Sequence, residues 1–308
     1  MKVLITGGQG FIGQALIHEL QRIDVEIISL DTKNQNSSLI QNNGVHYVNG
    51  SVLDTFLLGQ LLKGCDICFH LAGILGVENA ENRPLETLLV NAEGSKSVCQ
   101  AAIMAGCQRV VLSSSSEVYG DVCNPEHGYS ETSPLNPKSG YAISKLCAEE
   151  FFNGFGKEYG LDARIMRFFN VYGPLQDPKF VMPKFAQAIA SGSPLTIYGS
   201  GSQTRSFCYV GDAASAITQF GLADHMKSQT LIIGNDKEPI SMLDLAQKFI
   251  SIAGRGNINQ VRFCESDRTE AREIYHRSLN VSKLRNELGF TPSICLEDGI
   301  NMMLTKYC

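Results

Sequence analysis

The chain opens MKVLITGGQGFIG (residues 1–13), and this stretch decides the fold. Residues 2–6 are an apolar, β-branched run that reads as a buried strand. Glycines follow at a three-residue spacing, Gly7, Gly10 and Gly13, and a helical pattern starts at Phe11 and Ile12. A strand that turns through glycine into a helix brings backbone amides and the positive end of the helix dipole to one point. Without a Cβ in the way, a pyrophosphate can come close to that backbone. One such turn is weak on its own. Here the next apolar run, EIISLD (26–31), ends on Asp31, where a carboxylate would accept both hydroxyls of an adenine ribose. An acid at that place repels a 2′-phosphate, so NAD is expected rather than NADP, although Lys33 lies close by.

Working outward, short β-branched runs alternate with helical patterns. Strands are expected at 2–6, 26–30, 46–49, 66–71, 109–114 and 163–168. Helices are expected at 11–22, 55–63, 85–105 and 141–159. This alternation predicts an α/β fold: a doubly wound, Rossmann-type parallel sheet with helices on both faces. Ligands of such sheets lie beyond the carboxyl ends of the strands. After residue 169 the texture shifts to Gly- and Pro-rich segments with shorter elements. The expected division is a dinucleotide-binding domain over 1–170, rejoined by 206–233, and a smaller mixed α/β lobe over 171–205 and 234–308.

The chain has 308 residues, is 44% hydrophobic and carries a net charge of -5. It has no dense Lys/Arg run, so neither nucleic acid nor an anionic membrane is an expected partner. The sequence begins directly on a strand, and no apolar run reaches the length of a membrane span, so a cytoplasmic location is expected. The ten cysteines are scattered singly apart from Cys65 and Cys68. That pair opens an apparent buried strand, which reads as small core hydrophobes rather than a redox motif. The six histidines show no metal-ligand spacing, so no metal is expected.

YAISK (141–145) puts Tyr141 and Lys145 one turn apart on one helical face. A free tyrosine titrates near ~10, so turning it into a base at neutral pH takes a shift of about 3 units, about 4 kcal/mol. A cation about 4 Å away supplies about that much at an effective dielectric of ~20. Alone, the Tyr-x-x-x-Lys spacing is more often a plain amphipathic helix. Behind a dinucleotide turn it reads as catalytic. The second cue is SSSSEVYG (113–120), four serines and an acid at the end of an apolar run.

Together these stretches resemble the extended short-chain dehydrogenase/reductases of the nucleotide-sugar epimerase/dehydratase family, in particular UDP-glucose 4-epimerase-like members. The matching segments are TGGQGFIG (6–13), Asp31, HLAG (70–73), VNAEG (90–94), SSSSEVYG (113–120), YAISK (141–145), RFFNVYGP (167–174) and YGSGSQTRSFCYVGD (198–212). The resemblance implies that Tyr141 is the base, that Ser115 hydrogen-bonds it and the sugar hydroxyl, and that Lys145 also holds the nicotinamide ribose. It places Leu71, Ala72, Gly73, Asn91, Ser113 and Phe168 along NAD, with Ser51 and Val52 near the adenine. Gly76, Val77, Asn170, Tyr198, Gly199 and Arg205 fall on the nucleotide-sugar side, and Arg268 or Arg272 supplies a second diphosphate clamp. Ser116 stands where 4,6-dehydratases have the first acid of an Asp-Glu pair, so water loss is disfavoured, while Glu117 keeps the second. The expected reaction is epimerisation through transient oxidation at sugar C4. UDP-glucuronate-type decarboxylation, 4,6-dehydration and a catalytically idle NAD-binding scaffold are the alternatives. The resemblance also implies a homodimer through the helices at 85–105 and 141–159.

Overall fold

A computed structural model describes residues 1–33, 44–121, 128–254, 260–265 and 276–307. Six strands come first: β1 (Lys2–Thr6), β2 (Glu26–Asp31), β3 (Val45–Asn49), β4 (Ile67–His70), β5 (Arg109–Ser115) and β6 (Asp162–Phe168). Further on are β7 (Val171–Tyr172), β8 (Leu195–Tyr198), β9 (Thr204–Arg205), β10 (Cys208–Tyr209), β11 (Thr230–Ile233), β12 (Ile240–Ser241), β13 (Val261–Cys264) and β14 (His276–Arg277). The helices in the first half are α1 (Phe11–Leu20), α2 (Thr55–Leu61), α3 (Val77–Asn82), α4 (Pro84–Leu88), α5 (Gly94–Ala105) and α6 (Gly140–Tyr159). In the second half they are α7 (Val181–Ser191), α8 (Val210–Leu222), α9 (Met242–Ile252), α10 (Ser282–Leu288) and α11 (Leu296–Tyr307).

Seven strands form one sheet in the order β11-β6-β5-β4-β1-β2-β3, every pairing parallel. Strand order reverses between β1 and β4, so a crevice opens beyond the carboxyl ends of those two strands. Period-two alternation buries both faces. Val3 and Ile5 of β1 face a core with α1 and α8 (Leu16, Ile17, Ile217), whereas Leu4 faces the opposite core with α2, α5 and α6 (Leu58, Val98, Phe152). Cys65 and Cys68 lie in that second core as free thiols, and burial pushes Cys65 up to about 12. No helix among the described residues is long and apolar enough to cross a membrane.

The small lobe has its own core of Phe185, Ile189, Leu245, Phe249, Ile300 and Met303. Three little sheets frame it: β10-β7, β12-β9-β14 and β13-β8. Leu279, Val281 and Leu284 join the large core that includes Leu231 and Phe220. There α10 packs against the sheet edge at β11. The expected helix over 85–105 is interrupted, with a π-helical turn at Leu89–Glu93 separating α4 from α5.

Candidate active site

The glycine turn is shaped by contacts that leave no room for side chains. Gly7 has φ +73° and donates its N–H to Leu30 O at 2.8 Å. A Cβ on Gly7 would lie 2.6 Å from Ala72 N, and one on Gly13 would lie 2.3 Å from Gly7 O. Gly10 caps α1 in an extended conformation without a side-chain hydrogen bond to the first turn. Asp31 stands beside the turn, with one oxygen accepting from Gln9 N at 3.0 Å and the other from Lys33 N at 3.0 Å. A bare cradle with an oriented carboxylate at its side fits a dinucleotide. Gly13→Ala should therefore weaken NAD binding at least about tenfold (about 1.4 kcal/mol), read by titration calorimetry, because the α1 backbone must move off Gly7. Ser51 accepts from Leu53 N at 3.1 Å. The side chain of Val52 is buried beside Gly94 in the core.

The four serines divide the work of one strand end. Ser113 offers its carbonyl to Lys145 Nζ at 2.8 Å. Ser114 donates its hydroxyl to the buried Glu149 carboxylate. Ser115 accepts from Glu117 N at 3.2 Å, capping the short turn Ser116–Tyr119, and hydrogen-bonds Tyr141. Ser116 faces Arg277 Nη1 at 3.5 Å. Ser113 and Ser114 at the end of β5 thus meet α6, whereas Ser116, in the turn after the strand, meets the small lobe.

Tyr141 and Lys145 enter from the first turns of α6. Ser139 caps that helix by accepting from Ala142 N at 3.1 Å. Both side chains are buried. Burial raises Tyr141 above the ordinary phenol value, the Ser115 hydrogen bond opposes this, and Glu117 adds to it. Burial lowers Lys145 to about 8, against the pull of Glu149. Lys145, Asn91 and Gly73 converge: a Cβ on Gly73 would sit 3.0 Å from Asn91 Oδ1 and 3.1 Å from Lys145 Nζ. Asn91, carried on the π turn, accepts from Ile74 N at 2.8 Å and donates to Ile74 O at 3.0 Å and Ser144 Oγ at 2.9 Å. Ser95 donates to Asn91 O at 2.6 Å, so its oxygen accepts from His70 Nε2–H at 3.0 Å. Thr6 then donates to His70 Nδ1 at 2.7 Å and accepts from Ala72 N at 3.3 Å. This fixes one neutral tautomer, and burial, aided by the charge of Lys145, takes His70 down to about 3.

The acid of SSSSEVYG finds a partner that no local pattern announced. Arg277 Nη1 donates to Glu117 Oε1 at 2.7 Å, across 160 residues of sequence. Arg277 is 7% exposed, and its Nε has no partner among the described residues. Its place on β14, paired to β9 beside Arg205, delivers it from the small lobe to the catalytic turn. Arg268 and Arg272, the two clamps read from the sequence, lie outside the described residues. Asn170 sits at φ 37° just past β6 and donates to Ser206 O at 3.0 Å. Arg205 donates to Thr204 O at 2.8 Å. Tyr198 is exposed at the rim, with Lys184 Nζ 5.6 Å from its ring centre, and Gly199 turns the chain there at φ +72°. Phe168 packs partly buried on the large core. Gly76 caps α3 at φ 90°, and the side chain of Val77 is outside the described set.

The family model for the NAD dependent epimerase/dehydratase family matches residues 3–234. The chain belongs to this family. NAD is its cofactor, and the chain is of the extended short-chain dehydrogenase/reductase class. The UDP-N-acetyl-alpha-D-glucosaminuronate decarboxylase of Bacillus cytotoxicus is 32% identical, over 97% of this chain and 95% of the relative. The dTDP-glucose 4,6-dehydratase of Streptomyces venezuelae, solved with NAD, superposes with TM-score 0.90 at 28% identity, over 100% of this chain and 97% of that one. The UDP-glucuronic acid 4-epimerase of Bacillus cereus, solved with UDP-glucuronic acid and NAD, gives 0.89 at 26% identity, over 100% and 99%. Family members thus include NAD-dependent epimerases, decarboxylases and dehydratases.

Proposed function

We propose that this enzyme oxidises the C4 hydroxyl of a nucleotide-diphosphate sugar to a 4-keto intermediate and returns the hydride to the opposite face, acting as a 4-epimerase. The observation that carries this reading is the meeting of Tyr141 and Lys145 of α6 with the carboxyl end of β5, where Tyr141 bonds Ser115 and Lys145 bonds Ser113 O. Tyr141 takes the C4 hydroxyl proton through its hydrogen bond with Ser115, and Lys145, pinned to Ser113 O, stabilises the phenolate. When bound, NAD supplies the hydride acceptor and donor. Gly7, Gly10, Gly13 and Asp31 would hold its adenosine and pyrophosphate, and Gly73 with Lys145 its nicotinamide end. Asn170, Arg205, Tyr198 and Gly199 would take the nucleotide diphosphate of the substrate. The test is incubation with UDP-, dTDP- and GDP-sugars in the presence of NAD, followed by product mass and retention. A new peak of unchanged mass supports epimerisation, and loss of water would overturn it.

Dehydration is disfavoured by Ser116, which has no proton to give at carboxylic-acid strength. A second reading, decarboxylation of a nucleotide hexuronate, is favoured by the Glu117–Arg277 pair, because a 4-keto hexuronate is a β-keto acid and its loss of carbon dioxide leaves an enolate that a guanidinium stabilises. Loss of 44 mass units from UDP-glucuronate would select it. Either activity suits the cytoplasm, supplying sugar donors for surface polysaccharide.

We also infer a homodimer through α4, α5 and α6. Leu85 (75% exposed), Met104 and Ile143 on these helices and Leu89 on the π turn between α4 and α5 are exposed apolar residues, a concentration that soluble surfaces rarely leave open. Light scattering should give a dimer for the wild type and a monomer for Leu85→Glu/Leu89→Glu. A wild-type monomer at micromolar concentration would reject the inference.

A further inference from the structure

We propose that Glu149 is a positioning residue of this active site: its buried carboxylate braces the strand end that delivers Ser115 and sets a fixed negative charge one helical turn from Lys145. The inference rests on the reading of Ser115, Tyr141 and Lys145 as the proton-handling set. Lys145 and Glu149 lie one turn apart on one face of α6. Lys145 Nζ grips the carbonyl of Ser113 at 2.8 Å, and Glu149 takes the hydroxyl of Ser114. Two successive turns of helix thus hold two successive residues of β5, and the next residue is Ser115. A shift of the carboxylate moves the serine directly.

Glu149 is 1% exposed, so its charge acts on Lys145 with little screening. On the far side Arg167 holds it from β6, with Nη2 at 2.7 Å and Nε at 3.1 and 3.3 Å from its oxygens. Arg167 in turn donates to Tyr119 Oη at 3.0 Å and Glu131 O at 3.0 Å, so the carboxylate has a fixed position. The other ionisable groups around Lys145 do not take this role. Tyr141 is a neutral phenol one turn back, and His70 from β4 is a neutral imidazole. Glu117, beyond Tyr141, is engaged by Arg277. Glu149 is the group that opposes the burial of Lys145.

The test has one arm that needs no substrate. In NAD-free protein carrying ¹³C-labelled lysine, the Lys145 signal, assigned by its absence from Lys145→Arg, should titrate near 8. In Glu149→Gln it should titrate about one unit lower. Turnover of Glu149→Gln relative to wild type should then be about fivefold worse at pH 8 than at pH 6. An unchanged Lys145 titration, with the same loss of turnover at both pH values, would overturn the charge role and leave Glu149 a packing residue. Ser114→Ala should lower turnover about tenfold at every pH without moving the Lys145 titration; unchanged turnover would overturn the brace. Should Glu149→Gln fail to fold around an unpaired Arg167, Glu149→Gln/Arg167→Met removes both charges, and its Lys145 titration must fall below that of Arg167→Met, which differs from it only in the Glu149 charge. If no sugar is turned over by the wild type, the catalytic reading fails, while the titration still decides whether Glu149 governs Lys145.

Discussion

Tyr141→Phe should lower turnover by about a thousandfold or more and leave NAD binding within about twofold. The phenol is buried beside Ser115, and its ring remains in the variant, so packing changes little. What is lost is the group that moves the C4 proton. Burial alone drives Tyr141 the wrong way, toward the neutral phenol, so the chain must supply an opposing charge. A shift of three units costs about 4 kcal/mol, which is what one ammonium at about 4 Å provides at an effective dielectric of ~20. In the proposed mechanism Lys145 supplies that charge, and with its value near 8 it is charged at neutral pH and is losing its proton by pH 9. Turnover should therefore decline on the alkaline side above pH 8, and Lys145→Met should lower it at neutral pH. Steady-state kinetics, circular dichroism and calorimetry on the two variants check these points together. If Tyr141→Phe keeps turnover within tenfold of wild type, the tyrosine is not the base. If turnover is lost but the cellular role survives, the protein serves as an NAD-binding scaffold.

The parts of this site that are legible in the sequence are those written by local periodicity. The glycine spacing at 7, 10 and 13, the carboxylate closing EIISLD and the one-turn spacing of Tyr141 and Lys145 each follow from a single strand, turn or helix. The alternation of strands and helices likewise predicts the parallel sheet, with element ends off by a residue or two. What is not legible is set by pairing over long distances. Arg277 sits in the two-residue edge strand β14, and the β9–β14 pairing brings it to Glu117. Arg268 and Arg272, the clamps that the resemblance implies, lie outside the described residues. The π turn is equally silent, since LVNAE reads as ordinary helix, yet it is the turn that carries Asn91 to Ile74 and Ser144.

Arg277→Met should slow conversion of UDP-glucuronate by about a hundredfold or more while changing turnover of UDP-glucose by no more than about threefold. The two sugars share the C4 hydroxyl and differ at C6, where one carries a carboxylate. Ser115, Tyr141 and Lys145 serve the oxidation of either, so the variant leaves that step intact. Beyond it the demands diverge. A carboxylate near the site, or the enolate left when carbon dioxide departs, places negative charge that a buried guanidinium stabilises in low dielectric, and each such donor contributes about 2.7–4 kcal/mol to a developing oxyanion. Arg277 is suited to this because Nη1 is anchored by Glu117 and Ser116 while Nε is buried without a partner among the described residues. Glu117 would then be the anchor that aims the arginine, and Glu117→Gln should reproduce the selectivity at smaller amplitude, with the hydrogen bond kept and the charge gone. The variant stays folded on this account, since Glu117 retains about a quarter of its side-chain exposure and can hydrate. Product mass then sorts the chemistry: carbon dioxide lost by the wild type and not by Arg277→Met makes the enzyme a decarboxylase, whereas unchanged mass with slowed epimerisation makes Arg277 a carboxylate contact of a 4-epimerase. Equal losses on both sugars would show that Arg277 merely holds the Ser116–Tyr119 turn in place, and the hexuronate reading would fall.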